Sequence, residues 1–263
     1  MDLHPLIIAA PFGNWFEYPD TTRTVGTFTY ERRGGVPYRA WRMLRTLRYF
    51  PGMHSWRNKL GLPNPGLDAY LLKARQFDRM KDVIISIFGF TRDEWTTMAQ
   101  RVLYETTCPI EFNLSCPNVA HTVIINDVLR AATFDPTRII AKLPPIGWMD
   151  LAVPLYEAGV RVFHCCNTLW TPAGGLSGAV LRPYTLTALR DIRIALGREG
   201  PLQLIGGGGI ACADDVQMYF GAGAHHVAIA SMLLAPWHWR RLADIHTHAV
   251  KWQAYTKPQG GVL

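Results

Sequence analysis

Apolar positions along the chain fall into eight short, β-rich runs. They are residues 6–11, 24–30, 82–88, 109–115, 138–143, 160–166, 202–206 and 226–231. Several are almost continuously apolar, as expected of parallel strands buried on both faces. Between most of them the period lengthens to that of an amphipathic helix, over 66–78, 92–105, 123–132, 149–158, 184–197, 213–221 and 236–253. Thr91, followed by Arg92-Asp93-Glu94, is a clear helix start, a cap residue ahead of acids. Strand and helix in alternation predict an α/β fold with a parallel sheet. Eight strands point to a closed (β/α)8 TIM barrel, and 263 residues suit one such domain over 1–263. The stretch from 31 to 65 shows no clear strand or long helix and reads as irregular.

Composition narrows the setting. No run approaches the ~18 uninterrupted apolar residues of a membrane span, so no membrane contact is expected. The opening Met1-Asp2-Leu3-His4-Pro5 lacks a basic region ahead of an apolar core, so no secretory signal is expected. Five cysteines with no CxxC pair argue against a disulfide framework or a metal site and suit a reducing cytoplasm. The net charge of +7 is uneven, because residues 23–59 hold nine basic residues and one acid, Glu31. Arg39, Arg42, Arg45 and Arg48 recur every third residue around Trp41, Leu44 and Leu47, as one edge of a short helix would. Such an edge is either a solvated helix face or a surface for an anionic partner.

In a barrel, chemistry collects where strands end. The fourth run ends in Glu111-Phe112-Asn113-Leu114-Ser115-Cys116-Pro117-Asn118, a thiol between two amides. The fifth carries Lys142, a lysine inside an apolar strand. It needs a partner, either a bound anionic or electron-rich group or a buried salt bridge across the barrel floor. The sixth ends in Asn167-Thr168, the seventh in Gly206-Gly207-Gly208-Gly209 and the eighth in Ala230-Ser231. Glycines after strand seven with small residues after strand eight form a common phosphate site in barrels, since backbone N–H groups can approach the anion. Gly174-Gly175-Leu176-Ser177-Gly178 reads as a second flexible loop nearby.

Four motifs, in this order, resemble the dihydroorotate dehydrogenase family of FMN-dependent barrels. Asn58-Lys59-Leu60-Gly61-Leu62-Pro63-Asn64-Pro65-Gly66 is similar to its N-x-x-G-L-P-N-x-G segment, and Asn113-Leu114-Ser115-Cys116-Pro117-Asn118 to its N-L-S-C-P-N signature. Asn167-Thr168 with Gly174–Gly178, and Ile205–Ile210 with Gly221–Ala224, resemble its later segments. The resemblance spans about residues 6–236 and implies oxidation or reduction of a CH–CH bond in a dihydropyrimidine-like substrate. Cys116 would be the base and flavin N5 the hydride acceptor, with Lys142 beside the flavin. Asn58, Asn113, Asn118, Asn167 and Thr168 would hold the substrate. Ala10, Thr27, Asn113, Lys142, Gly178, Gly208, Gly209, Ala230 and Ser231 would hold FMN. A homodimer, and a partner subunit on the basic segment, also follow from the resemblance.

The chain departs from the family at a second lysine that grips the substrate carboxylate. The two positions where it is found in the family hold Thr27 and Asn14 here. Arginines of the 32–48 stretch, Arg32 and Arg33 first, are candidate replacements. Two further readings stand beside the dehydrogenase. One is a repurposed or non-catalytic flavin-binding member with another substrate or partner. The other is a tRNA dihydrouridine synthase-like enzyme with RNA on the basic segment. Asn118 directly after Cys116-Pro117, and the Gly-Leu-Pro-Asn run, favour the dehydrogenase pattern over the latter.

Overall fold

The computed structural model describes residues 1–76, 80–114, 125–197 and 200–256. Eight parallel strands close into a barrel: β1 (Leu6–Ile8), β2 (Thr22–Phe28), β5 (Val83–Ile87), β6 (Ile110–Asn113), β7 (Ile139–Lys142), β8 (Val162–Cys165), β10 (Gln203–Gly207) and β11 (His226–Ile229), with β11 returning to β1. Each of the eight predicted runs overlaps one of these strands, although Thr22–Phe28 starts two residues before its run and Gln203–Gly207 ends one residue after its run. The order is that of a (β/α)8 TIM barrel. Around it stand α2 (Leu67–Gln76), α3 (Arg92–Glu105), α4 (Ile125–Ala132), α5 (Met149–Glu157), α6 (Arg182–Leu196), α7 (Ala213–Gly221) and α8 (Leu242–Thr256). The predicted start of α3 is confirmed in detail. Thr91 Oγ1 accepts from Glu94 N at 3.2 Å, and Glu94 Oε2 reaches past the cap residue to accept from Phe90 N at 2.7 Å. The last helix begins later than its pattern suggests, because Pro236–Arg241 winds as a tighter 3-10 segment first.

The 31–65 stretch is more ordered than its pattern suggests. It holds α1 (Val36–Thr46) and two strands, β3 (Arg48–Phe50) and β4 (Ser55–Asn58). These join β9 (Gly175–Gly178) in a small antiparallel sheet of order β3-β4-β9. The Gly174–Gly178 run is therefore largely a strand, a correction to its reading as a flexible loop. Its glycines serve close approach: a Cβ on Gly178 would lie 2.6 Å from His54 O. Pairing of Asn58 with Gly175 brings two motifs far apart in sequence to one edge of the barrel mouth.

Inside the barrel, side chains alternate with a period of two. Ile7, Ile84, Ile140, Val162, Ile205 and Ala228 form an apolar plug. Two residues further along β5, β7, β8 and β10 come Ser86, Lys142, His164 and Gly207. The larger apolar cluster lies outside the barrel, between strands and helices, and includes Phe112, Trp95 and Phe163. The interior thus changes from apolar to polar within one step of the pleat, and the site is built on that step.

Candidate active site

Glu111 sits at the centre of the polar layer, 1% exposed. Its Oε1 accepts from Ser86 Oγ at 2.8 Å and stands 3.6 Å from Lys142 Nζ, while its Oε2 stands 2.8 Å from His164 Nδ1. Burial alone pushes the Glu111 carboxyl up. The Lys142 ammonium, with the bonds from His164 and Ser86, outweighs it and holds the group at about 2. Burial and the same ammonium push His164 down. The arrangement is therefore an ionised Glu111–Lys142 pair flanked by a neutral imidazole that donates from Nδ1. The salt-bridge reading of Lys142 holds in this sense, yet Lys142 also lines the cavity above.

From Ser86 the bonding continues upward. Ser86 Oγ and Thr27 Oγ1 are 3.0 Å apart, Asn113 Nδ2 donates to Thr27 Oγ1 at 2.9 Å, and Asn167 Nδ2 donates to Asn113 Oδ1 at 2.6 Å. Asn167 Oδ1 accepts from Thr168 N at 2.8 Å. The parallel register makes this possible, since Asn113 pairs with Lys142 and Lys142 with His164.

These residues floor a cavity of about 910 Å³. Its lining includes Ala10, Thr27, Asn58, Asn113, Lys142, Asn167, Thr168, Ala230 and Ser231. Nine of the predicted site residues are thus brought to one space. Phe28, Leu60, Leu62 and Tyr70 supply apolar wall, and Met43 and Leu47 close it from the α1 side. Cys116 and Asn118 lie outside the described residues. Gly178, Gly208 and Gly209 do not line the cavity. The turn after β9 packs on the glycine run, and a Cβ on Gly209 would lie 2.8 Å from Gly178 O.

The four glycines divide their work. A Cβ on Gly206 would lie 2.5 Å from the Tyr219 ring, and one on Gly207 would lie 2.8 Å from His164 Nε2, so these two are packing positions. Gly208 and Gly209 have φ of 98° and 86°. Among the described residues, neither of their N–H groups has a hydrogen-bond acceptor. Unmet backbone donors in a left-handed turn suit an anion. Arg182 braces this turn, donating to Gly209 O at 2.9 Å and pairing with Asp215 at 2.8 Å.

The two positions that lack the family's lysine are occupied by neutral, engaged side chains. Asn14 clamps the backbone of Gly26, accepting from its N–H at 3.1 Å and donating to its carbonyl at 3.0 Å. Thr27 belongs to the network above. Of the candidate replacements, Arg32 lines the cavity, as does Lys73 of α2. Arg33 does not; its guanidinium lies 5.0 Å from the Phe90 ring centre and its backbone bonds to Asn64. The arginine edge is partly structural: Arg42 donates to Lys59 O, Arg45 lies over Trp41 at 5.0 Å and Arg48 donates to Leu47 O at 2.8 Å.

Sequence reasoning passed over Glu111, Ser86 and the clamp residues Asn14 and Asn64. A signal for Glu111 was present, a charge between Ile110 and Phe112 that matches Lys142 on the adjacent strand. Asn64 fixes the Leu-Pro-Asn-Pro loop by accepting from Thr29 N at 3.1 Å and Gly66 N at 2.9 Å. His164, buried inside the barrel, is satisfied by its contact with Glu111.

Among the described residues, no helix is long and apolar enough to cross a membrane. Comparison with known proteins agrees with the barrel and its motifs. The chain is 26% identical over 251 residues to the dihydroorotate dehydrogenase B (NAD(+)) catalytic subunit of Lachnoclostridium phytofermentans, covering 84% of this chain and 81% of that one. It is 30% identical over 201 residues to the protein of the same description from Pyrococcus abyssi, covering 66% and 65%. A crystal structure of the Eimeria tenella dihydroorotate dehydrogenase in complex with ferulenol shares the fold, with a TM-score of 0.72 at 18% identity over 94% of this chain and 80% of that one. The family model described as dihydroorotate dehydrogenase matches residues 21–142 and 160–243, and the chain belongs to that family of oxidoreductases.

Proposed function

We propose that this protein is an FMN-dependent oxidoreductase acting on the CH–CH bond of a dihydropyrimidine-like acid, in the manner of dihydroorotate dehydrogenases. The observation that carries the reading is the cavity floor. Lys142, Asn113 and Asn167 meet there on adjacent strand ends, and the glycine turn after β10, outside the cavity lining, carries unmet backbone donors. Gly208, Gly209 and Ser231 would hold the phosphate of FMN, with Gly178 and Ala230 beside them. Ala10, Thr27, Asn113 and Lys142 would hold the ring system. When bound, FMN supplies a hydride acceptor.

The chain's own groups would do the rest. Asn58, Asn113, Asn118, Asn167 and Thr168 would orient the amide and carbonyl edge of the substrate. Lys142 would stabilise negative charge developing at the floor. Cys116 would take the proton from the substrate carbon, for which its thiolate must lie within reach. The small apolar wall would exclude water. The relatives are described as catalytic subunits, which supports a partner subunit here, and the exposed arginines around α1 are its candidate seat. The cysteines among the described residues are all free thiols, in keeping with a cytoplasmic protein.

A second reading has one observation in its favour. Thr27 and Asn14 are both committed to protein partners, so neither stands in for the missing lysine. A flavin-binding member with another substrate would fit that. An absorption spectrum of the purified protein, followed by anaerobic addition of dihydroorotate, separates the two. Bleaching of bound flavin is expected. Bound flavin that stays oxidised favours the second reading, and a colourless protein that refuses FMN overturns both.

A further inference from the structure

The bonds beneath the cavity have a direction, and the direction starts at Glu111. An ionised carboxylate only accepts hydrogen bonds. Ser86 must therefore spend its one hydroxyl proton on Glu111 Oε1. Having done so, Ser86 Oγ can only accept from Thr27, 3.0 Å away. Thr27 has then used its own proton, so its oxygen can only accept from Asn113, 2.9 Å away. That contact fixes which way the Asn113 amide faces, with Nδ2 toward Thr27 and Oδ1 toward Asn167 Nδ2. Every link is buried, and neither hydroxyl has a second proton to give.

We propose that Glu111 is a positioning residue that acts through Ser86 and Thr27 to set the donor and acceptor sense of the cavity floor. The side chains of Asn113 and Lys142 then offer N–H groups to whatever lies above them. Such a floor selects a ligand edge made of acceptor oxygens, a ring carbonyl or a carboxylate, over one that presents N–H. The relay also explains a threonine at the position of the missing lysine. A hydroxyl there can pass on the direction, whereas an ammonium, which only donates, would reverse the demand on Asn113.

The relay stands on the bonding pattern alone, while its consequence for orotate rests on the function proposed above. Ser86→Ala severs the chain one bond from Glu111 and leaves the Glu111–Lys142–His164 cluster in place. Ser86→Thr keeps the hydroxyl. In FMN-loaded protein, S86A is expected to raise the orotate dissociation constant about tenfold, the loss of one oriented hydrogen bond. S86T should restore orotate binding. An S86A protein that binds orotate as the wild type does overturns the proposal. So does an S86T protein that is as weak as S86A, with both variants melting as the wild type does.

The ligand-free protein gives a readout that does not depend on the function. The side-chain NH2 resonances of Asn113, assigned by their loss in Asn113→Asp, should shift and lose exchange protection in S86A and recover in S86T. If the wild type refuses FMN or orotate but these resonances behave so, the relay holds and the assigned function falls. If they do not move in S86A, the relay falls whatever the protein binds.

Discussion

Lys142 Nζ and Glu111 Oε1 lie 3.6 Å apart, their side chains 8% and 1% exposed. A buried ion pair is weak evidence of stability in itself, since desolvation offsets much of the attraction. Its asymmetry is the useful part. Lys142→Met leaves Glu111 charged and buried, and we expect a loss of about 3–5 kcal/mol in urea unfolding, by the usual cost of breaking such a pair. Changing both partners to apolar residues of similar size should cost much less than the two single changes together. Two single losses that simply add would contradict the pairing.

The same cluster gives a pH signature with two windows. His164 is held below its ordinary range in the fold, so below about pH 6.5 the unfolded chain binds the extra proton and stability falls as pH falls. Glu111 is depressed to about 2, so its contribution is fully present above the unfolded carboxylate range and is lost as pH falls from there toward 2. Stability measured from pH 7 downward should therefore decline first from histidines held down in the fold, His164 and His225 among them, and His164→Gln should make that first limb shallower. An unchanged slope in that variant would mean the His164 imidazole is not among the groups responsible.

The eight strands were legible because burial on both faces leaves continuous apolar runs, and that signal survives without knowledge of neighbours. The site was half legible. Asn113, Asn167 and Lys142 could be named from strand ends and motifs. Their partners could not, because contact between Ser86, Glu111 and Thr27 depends on strand register, which a single chain does not display. The small sheet was hidden for another reason: Gly175–Gly178 has the composition of a loop, and only its partner Ser55–Asn58 makes it a strand. Likewise the glycine run reads as one feature, while in space Gly206 and Gly207 make room for Tyr219 and His164 and the next two open a turn.

That division can be tested. Gly207→Ala places a methyl 2.8 Å from His164 Nε2 within the packed barrel, and overpacking of this kind typically costs about 1–3 kcal/mol. At Gly221, at the end of α7, nothing lies within 4 Å of an added Cβ and φ is not positive. Gly221→Ala should be neutral or stabilise by about 0.4–1 kcal/mol through the unfolded state. Thermal melts of the two variants should move in opposite directions, or one should not move at all.

Ser231 offers a hydroxyl at the cavity wall, with no protein hydrogen-bond partner among the described residues. If it meets a phosphate there, Ser231→Ala should weaken FMN binding about tenfold or more, the usual range for a bond to a charged group. Flavin fluorescence quenching measures this directly. Unchanged FMN affinity would place the phosphate elsewhere.

The missing lysine leaves the substrate carboxylate in need of a cation, and the geometry separates two arginines adjacent in sequence. Arg32 lines the cavity, whereas Arg33 faces Phe90 and has an unpaired buried Nε. Arg32→Ala should therefore raise KM for an acidic substrate by about tenfold to a hundredfold, as for a lost charged hydrogen bond, with little change in melting temperature. Arg33→Ala should act the other way, lowering the melting temperature through lost packing on Phe90 while leaving KM near its starting value. Steady-state kinetics and a thermal melt on both variants decide it. If neither changes KM, Lys73 is the remaining cation at the mouth without a charged partner among the described residues, and Lys73→Ala is the next variant to measure.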